Sequence, residues 1–157
     1  MWREDLKLSV VQSEEANSIL ADKVAQWIES PCCFFLQGAL GAGKTTFARS
    51  FIQAKGYGGH VPSPSYSLVQ CYEALVLPIV HVDLYRLSGG ADFEALGVLE
   101  WLGKAIWLIE WPERGASDWI SADLVWDFDI KNQQRTLSML GVSAFGQKKL
   151  QAFQGCD

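Results

Sequence analysis

Apolar and polar positions change period several times along the 157-residue chain, and each change marks an element. Leu6 to Val11 alternates, which predicts a strand. Ser13 stands where a helix N-cap belongs, and Glu14 and Glu15 suit the positive end of the helix dipole. Ala16, Ile19, Leu20, Val24, Trp27 and Ile28 then recur at helical spacing, so an amphipathic helix is predicted up to Pro31. Cys32 to Leu36 is a short continuous apolar run, as expected of a strand buried on both faces. From Lys44 to Lys55 the helical period returns, with Phe47, Phe51 and Ile52 on one side and Gly56 as a C-terminal stop.

The second half is richer in strands. Residues 56–65, GYGGHVPSPS, hold three glycines and two prolines and are predicted to form a loop. Tyr66 to Glu73 alternates as a strand, and Ile79 to Tyr85 and Ala105 to Trp111 are two further apolar strands. Residues 89–103 between them suggest short helical turns. Asp123 to Ile130 alternates again, and Arg135 to Val142 is its expected partner across KNQQ. Ala144 to Phe153 is predicted to be a terminal helix. With no repeat, linker or low-complexity segment, residues 1–157 are expected to form one α/β domain.

Composition narrows the function classes. Lys and Arg total 13 against 18 Asp and Glu, a net charge of −5, with no basic block, so stand-alone nucleic-acid binding is disfavoured. The N-terminal residues lack a signal-peptide apolar core, and no apolar run is long enough for a membrane span; a cytoplasmic, membrane-free protein is expected. Cys32, Cys33, Cys71 and Cys156 fit no zinc spacing. Cys32, Cys33 and Cys71 sit in strand-like sequence and read as buried thiols in a reducing compartment.

Candidate chemistry begins directly after the first buried strand. Gly38-Ala39-Leu40-Gly41-Ala42-Gly43-Lys44-Thr45 satisfies G-x-x-x-x-G-K-[ST], and Thr46 follows it. Glycines let successive N–H groups curl inward around a phosphate, and the helix that opens near Lys44 adds its dipole. In that arrangement Lys44 reaches the β- and γ-phosphates and the Thr45 hydroxyl holds Mg2+. A chance match in such a chain has a probability of roughly half a per cent. The alternative is a glycine-rich turn without function, but the strand before the motif and the helix after it favour phosphate binding.

Other residues complete such a site. Asp83, ending the run Ile79, Val80, Val82, is the candidate metal-shell carboxylate. Glu110 closes another apolar strand and is the candidate base or water-positioning group, counted also with the metal shell; a strand-end salt bridge is its structural alternative. His81 lies on the face of Asp83 and is more simply structural. Ser63, Ser65 and Ser67 lie where many phosphate-loop switch proteins sense the γ-phosphate, and Ser65 is taken as nucleotide-contacting. Arg86 could pair with a carboxylate or stabilise transition-state charge. Trp101, Trp107 and Trp126 suit the core, whereas Trp111, beside Glu110, is a candidate nucleotide contact.

GALGAGKTTFAR, SPSYSLV, HVDLYRL and LIEWPE, in this order, make residues 13–130 resemble the TsaE (YjeE) family. The resemblance implies a three-layer P-loop NTPase fold, with a mainly parallel central sheet flanked by helices and antiparallel C-terminal strands. It implies Mg-ATP binding and slow hydrolysis in bacterial tRNA N6-threonylcarbamoyladenosine modification, with TsaB-like and TsaD-like subunits as partners and tRNA met only through them. Ser65 stands where the family commonly has threonine, and Ala39 where an acidic residue is frequent. No motif marks the C-terminal 25 or so residues.

Two other readings use the same loop. A small-molecule kinase would add a lid with several arginines, yet Arg86, Arg114 and Arg135 are scattered after the 56–65 loop. A nucleotide-gated binding module would bind without hydrolysis. A GTPase is disfavoured, since neither N-K-x-D nor a suitably placed D-x-x-G is present.

Overall fold

A computed structural model describes residues 8–154. The expected strand start at Leu6 and the thiol Cys156 lie outside the described residues. The elements are β1 (Leu8–Gln12), α1 (Glu14–Trp27), β2 (Cys32–Gly38), α2 (Lys44–Ala54), β3 (Val69–Tyr72), β4 (Ile79–Asp83), α3 (Gly90–Glu94), β5 (Ile106–Glu110), β6 (Leu124–Lys131), β7 (Gln134–Gly141) and α4 (Ala144–Gln154). Among the described residues three 3-10 turns, Leu99–Trp101, Pro112–Arg114 and Ala116–Asp118, fill the connections.

The strands form a seven-stranded sheet in the order β1-β7-β6-β2-β5-β4-β3. Its centre is parallel: β6, β2, β5 and β4 run the same way. Antiparallel pairings add β7 and β1 on one side and β3 on the other. This is the expected fold class, with β6 and β7 as the antiparallel C-terminal pair.

Strand alternation sends Phe34 and Leu36 of β2 to one face and Cys33 and Phe35 to the other, and all are buried. On the first face α1, α2 and α4 cover the sheet. Phe34 packs edge-on against Trp126 at 5.2 Å and against Phe51 at 5.5 Å, and Phe47 stacks on Phe51 at 6.1 Å. On the second face the cover is thin: α3 and the 3-10 turns, through Phe93, Val98 and Ala116, close over Val80, Val82, Trp107 and Ile109. The three layers are therefore unequal.

Two expectations need correction. β3 starts at Val69, not Tyr66. The Leu68 amide donates to the Pro64 carbonyl at 2.6 Å and closes a turn, and Leu68 takes a left-handed φ of 67°. Cys71 is exposed, not buried: it lies on the edge strand β3 opposite Val80, on the thinly covered second face, whereas Tyr72 beside it is buried on the helix-covered face. Cys32 and Cys33 are buried as expected, and Trp107 and Trp126 are core residues.

Candidate active site

The glycine motif forms the turn between β2 and α2. Gly38 has φ 130°, and a Cβ there would meet the Phe128 carbonyl oxygen at 2.0 Å, so the turn could not hold a side chain. Gly43, the α2 N-cap, has φ 119°, and a Cβ would press on the Asn17 amide nitrogen at 2.8 Å. That nitrogen donates to the Gly43 carbonyl at 2.8 Å, so α1 buttresses the loop.

Parallel register brings the acidic strand ends to the same place. Leu36 pairs with Glu110, and Asp83 with Glu110, so β2, β5 and β4 finish side by side. The carboxylates stand at the C-terminal edge of parallel strands, where open α/β sheets bind ligands. A cleft of about 250 Å³ opens there, lined by Leu40, Gly41, Gly43, Lys44, Thr45, Thr46, Ser65, Asp83, Glu110 and Trp111, and by Glu14, Tyr85 and Arg135. Gly38 and Ala42 do not line it. Ala42 is buried in the core, and the Gly38 carbonyl is turned to Lys44.

Lys44 is buried. Its ammonium donates to the carbonyls of Gly38 (2.5 Å) and Ala39 (2.8 Å) and lies 4.4 Å from the centroid of the Trp111 ring. Burial lowers its pKa from 10.5, opposed by Glu110, Asp83 and Glu113. Trp111 holds its position through a left-handed backbone, φ 58°, just before Pro112.

Glu110 is held at both oxygens. Thr45 Oγ1 donates to Oε2 at 2.9 Å, and His81 Nε2 meets Oε1 at 2.9 Å. Asp83 receives the Tyr85 amide at 3.0 Å on Oδ1 and the Ser65 hydroxyl at 3.1 Å on Oδ2. The Ser63 hydroxyl lies 2.7 Å from that of Ser65. The Thr45 hydroxyl is thus engaged with Glu110, one of the two carboxylates expected beside it in the metal shell. Arg86 lies 4.4 Å from the Tyr66 ring, and among the described residues it forms no ion pair.

Sequence reasoning missed Glu14, Asn17, Tyr85 and Arg135 as parts of this site. The signal for Arg135 is its register: it pairs with Gln12, two residues before Glu14, on the far side of β2 from Asp83. The cleft therefore has a carboxylate-and-hydroxyl end and a Glu14–Arg135 end.

A glycine loop between a buried parallel strand and a helix, facing two strand-end carboxylates, defines an α/β protein of the P-loop class. Residues 11–138 match the family described as threonylcarbamoyl adenosine biosynthesis protein TsaE. The chain belongs to this family. The tRNA threonylcarbamoyladenosine biosynthesis protein TsaE of Haemophilus influenzae is 35% identical over 126 residues, covering 80% of each chain. The protein of the same description from Aquifex aeolicus is 33% identical over 132 residues, 83% of this chain and 92% of that one. The crystal structure of Bacillus subtilis YdiB superposes with a TM-score of 0.78 over 99% of this chain and 97% of that one, at 22% identity, and shares the fold.

Proposed function

We propose that this chain binds Mg-ATP and hydrolyses it slowly as an accessory protein of bacterial tRNA N6-threonylcarbamoyladenosine (t6A37) modification, acting on TsaB-like and TsaD-like subunits. The observation that carries this reading is the convergence of Lys44, Thr45, Ser65, Asp83 and Glu110 on one cleft at the phosphate loop.

The donor set fits Mg2+. Among the described residues no group of three or more His, Cys, Asp or Glu side chains could hold a metal alone. Mg2+ does not need one: it keeps waters and takes one or two carboxylates together with substrate phosphate oxygens. Thr45, Asp83 and Glu110 would supply the protein's share. Bound there, Mg2+ would neutralise charge on the β- and γ-phosphates.

The chain's own groups account for the rest. The loop amides and Lys44 receive the phosphates, and Lys44 exchanges its two carbonyl partners for phosphate oxygens. Ser65, already hydrogen-bonded to Asp83, reports the γ-phosphate. Glu110 orients a water. As the water oxygen bonds to the γ-phosphorus, the bond to the β–γ bridging oxygen breaks, ADP leaves, and Glu110 takes the water's proton. Trp111 shields Lys44 from solvent. The base and ribose extend toward Glu14 and Arg135. The net charge of −5 suits a subunit that meets tRNA only through its partners. The kinase alternative finds less support, since Arg135 alone of the three later arginines lines the cleft.

The test is ATP hydrolysis measured alone and with TsaB-like and TsaD-like subunits. The expected result is partner-stimulated turnover that Lys44→Ala and Asp83→Ala abolish. Glu110→Gln should lower it by about 10²-fold or more while ATP still binds. No stimulation by the partners, or wild-type turnover in Glu110→Gln, would reject the corresponding role.

A further inference from the structure

We propose that His81 is the positioning residue for Glu110, fixing which carboxylate oxygen faces the cleft. The inference rests on reading Glu110 as the water-orienting group.

Strand geometry places the pair. On β4, His81 and Asp83 are two residues apart and share a face. On β5, Glu110 shares its face with Leu108, and Leu108 is the register partner of His81. His81 therefore sits diagonally behind Glu110, one step deeper in the sheet. It is 0% exposed, and Glu110 2%. Glu110, Thr45 and Asp83 line the cleft, and His81 does not. Its ring acts on bound substrate only through Glu110.

The hydrogen bonds define the task. With the proton on Nε2, the ring donates to Oε1 across 2.9 Å. Nδ1 is buried, and among the described residues it has no hydrogen-bond partner. A ring kept merely for packing would be better replaced by an aliphatic side chain, which leaves no orphaned polar atom. The position therefore sacrifices one nitrogen to keep the other on Glu110.

That contact matters because the last torsion of a glutamate is soft. Two tethers hold the carboxylate here, Thr45 on Oε2 and His81 on Oε1. Thr45 lines the cleft and would turn its hydroxyl to a bound Mg2+; His81, which does not line the cleft, would remain as the tether. With Oε1 held from behind, Oε2 stays directed into the cleft, where it would meet the metal and a water.

The experiment uses the full chain with its partner subunits and compares His81→Leu, His81→Gln and Glu110→Gln. Gln carries a donor at nearly the reach of Nε2; Leu carries none. His81→Leu is expected to lower kcat by about 10–100-fold. Affinity for a non-hydrolysable ATP analogue should stay within about threefold, and His81→Gln should regain most of the rate. The ring Nε2–H resonance of the wild type should shift in Glu110→Gln.

Four outcomes would overturn the proposal: wild-type turnover in His81→Leu; equal losses in His81→Leu and His81→Gln; a fall in affinity matching the fall in kcat; or a ring resonance indifferent to Glu110. Normal turnover in His81→Leu beside a dead Glu110→Gln removes this inference alone. Normal turnover in Glu110→Gln removes the reading beneath it as well.

Discussion

Cys32 and Cys33 are adjacent in β2 yet belong to opposite faces of the sheet, one in each core. Burial first and Asp123 second push the Cys32 thiol from 9.0 up to about 12, and the same two causes raise Cys33. The folded chain keeps the Cys32 proton where the unfolded chain gives it up. Its contribution is therefore complete below about pH 9 and lost as pH rises toward about 12, by on the order of 4 kcal/mol. Denaturant midpoints between about pH 9 and about pH 11 should fall less steeply in Cys32→Ala than in wild type; identical slopes would contradict this. Cys33 keeps part of the slope. Some residues of the candidate site were legible in the sequence because local rules write them. The spacing of the glycine motif marks Lys44 and Thr45, and a charge closing an apolar run marks Asp83 and Glu110. Asn17 and Arg135 carry no such mark. Asn17 matters through a carbonyl 26 residues away, and Arg135 through the register of β7 with β1.

At the scale of elements, α1 shows how one helix end is completed by two others. Its last turn holds no basic residue. The Lys55 ammonium, just past α2, donates to the carbonyls of Ala25 (3.0 Å) and Ile28 (2.5 Å), and Lys149 of α4 donates to Trp27 at 2.8 Å. Positive charge at a helix C-terminus is favourable both by dipole and by hydrogen bonding. Lys55→Met, which keeps the apolar stem, should cost about 1–2 kcal/mol in denaturant unfolding. A change within about 0.5 kcal/mol would mean that water serves those carbonyls equally well. The central strands and the long helices follow from the sequence, since apolar period and capping residues fix them locally. The short start of β3 does not. There, alternation from Tyr66 onward competes with a turn closed by the Leu68 amide on Pro64, and the turn wins. The segment after Trp111 is similarly silent: its 3-10 turns follow a left-handed residue and a proline, and no period announces them.

For the whole molecule, the sheet separates two unequal cores. One is roofed by helices of 14, 11 and 11 residues and filled by interlocking aromatic rings. The other is roofed by a five-residue helix and by 3-10 turns. Short elements with few mutual contacts open locally at low free energy, whereas core helices open only with the whole fold. Amide hydrogen exchange should therefore run far faster in residues 90–101 and 112–119, on either side of the central strand β5, than in α1 and α2. Equal protection of both would refute the difference. Trp111 stands at the border. Its ring covers Lys44, and its backbone caps the first 3-10 turn that follows β5. The cradle and the cover over its lysine thus lie on opposite sides of a stability boundary: thermal breathing of the thin side can uncover the charge while the loop that aims it keeps its shape.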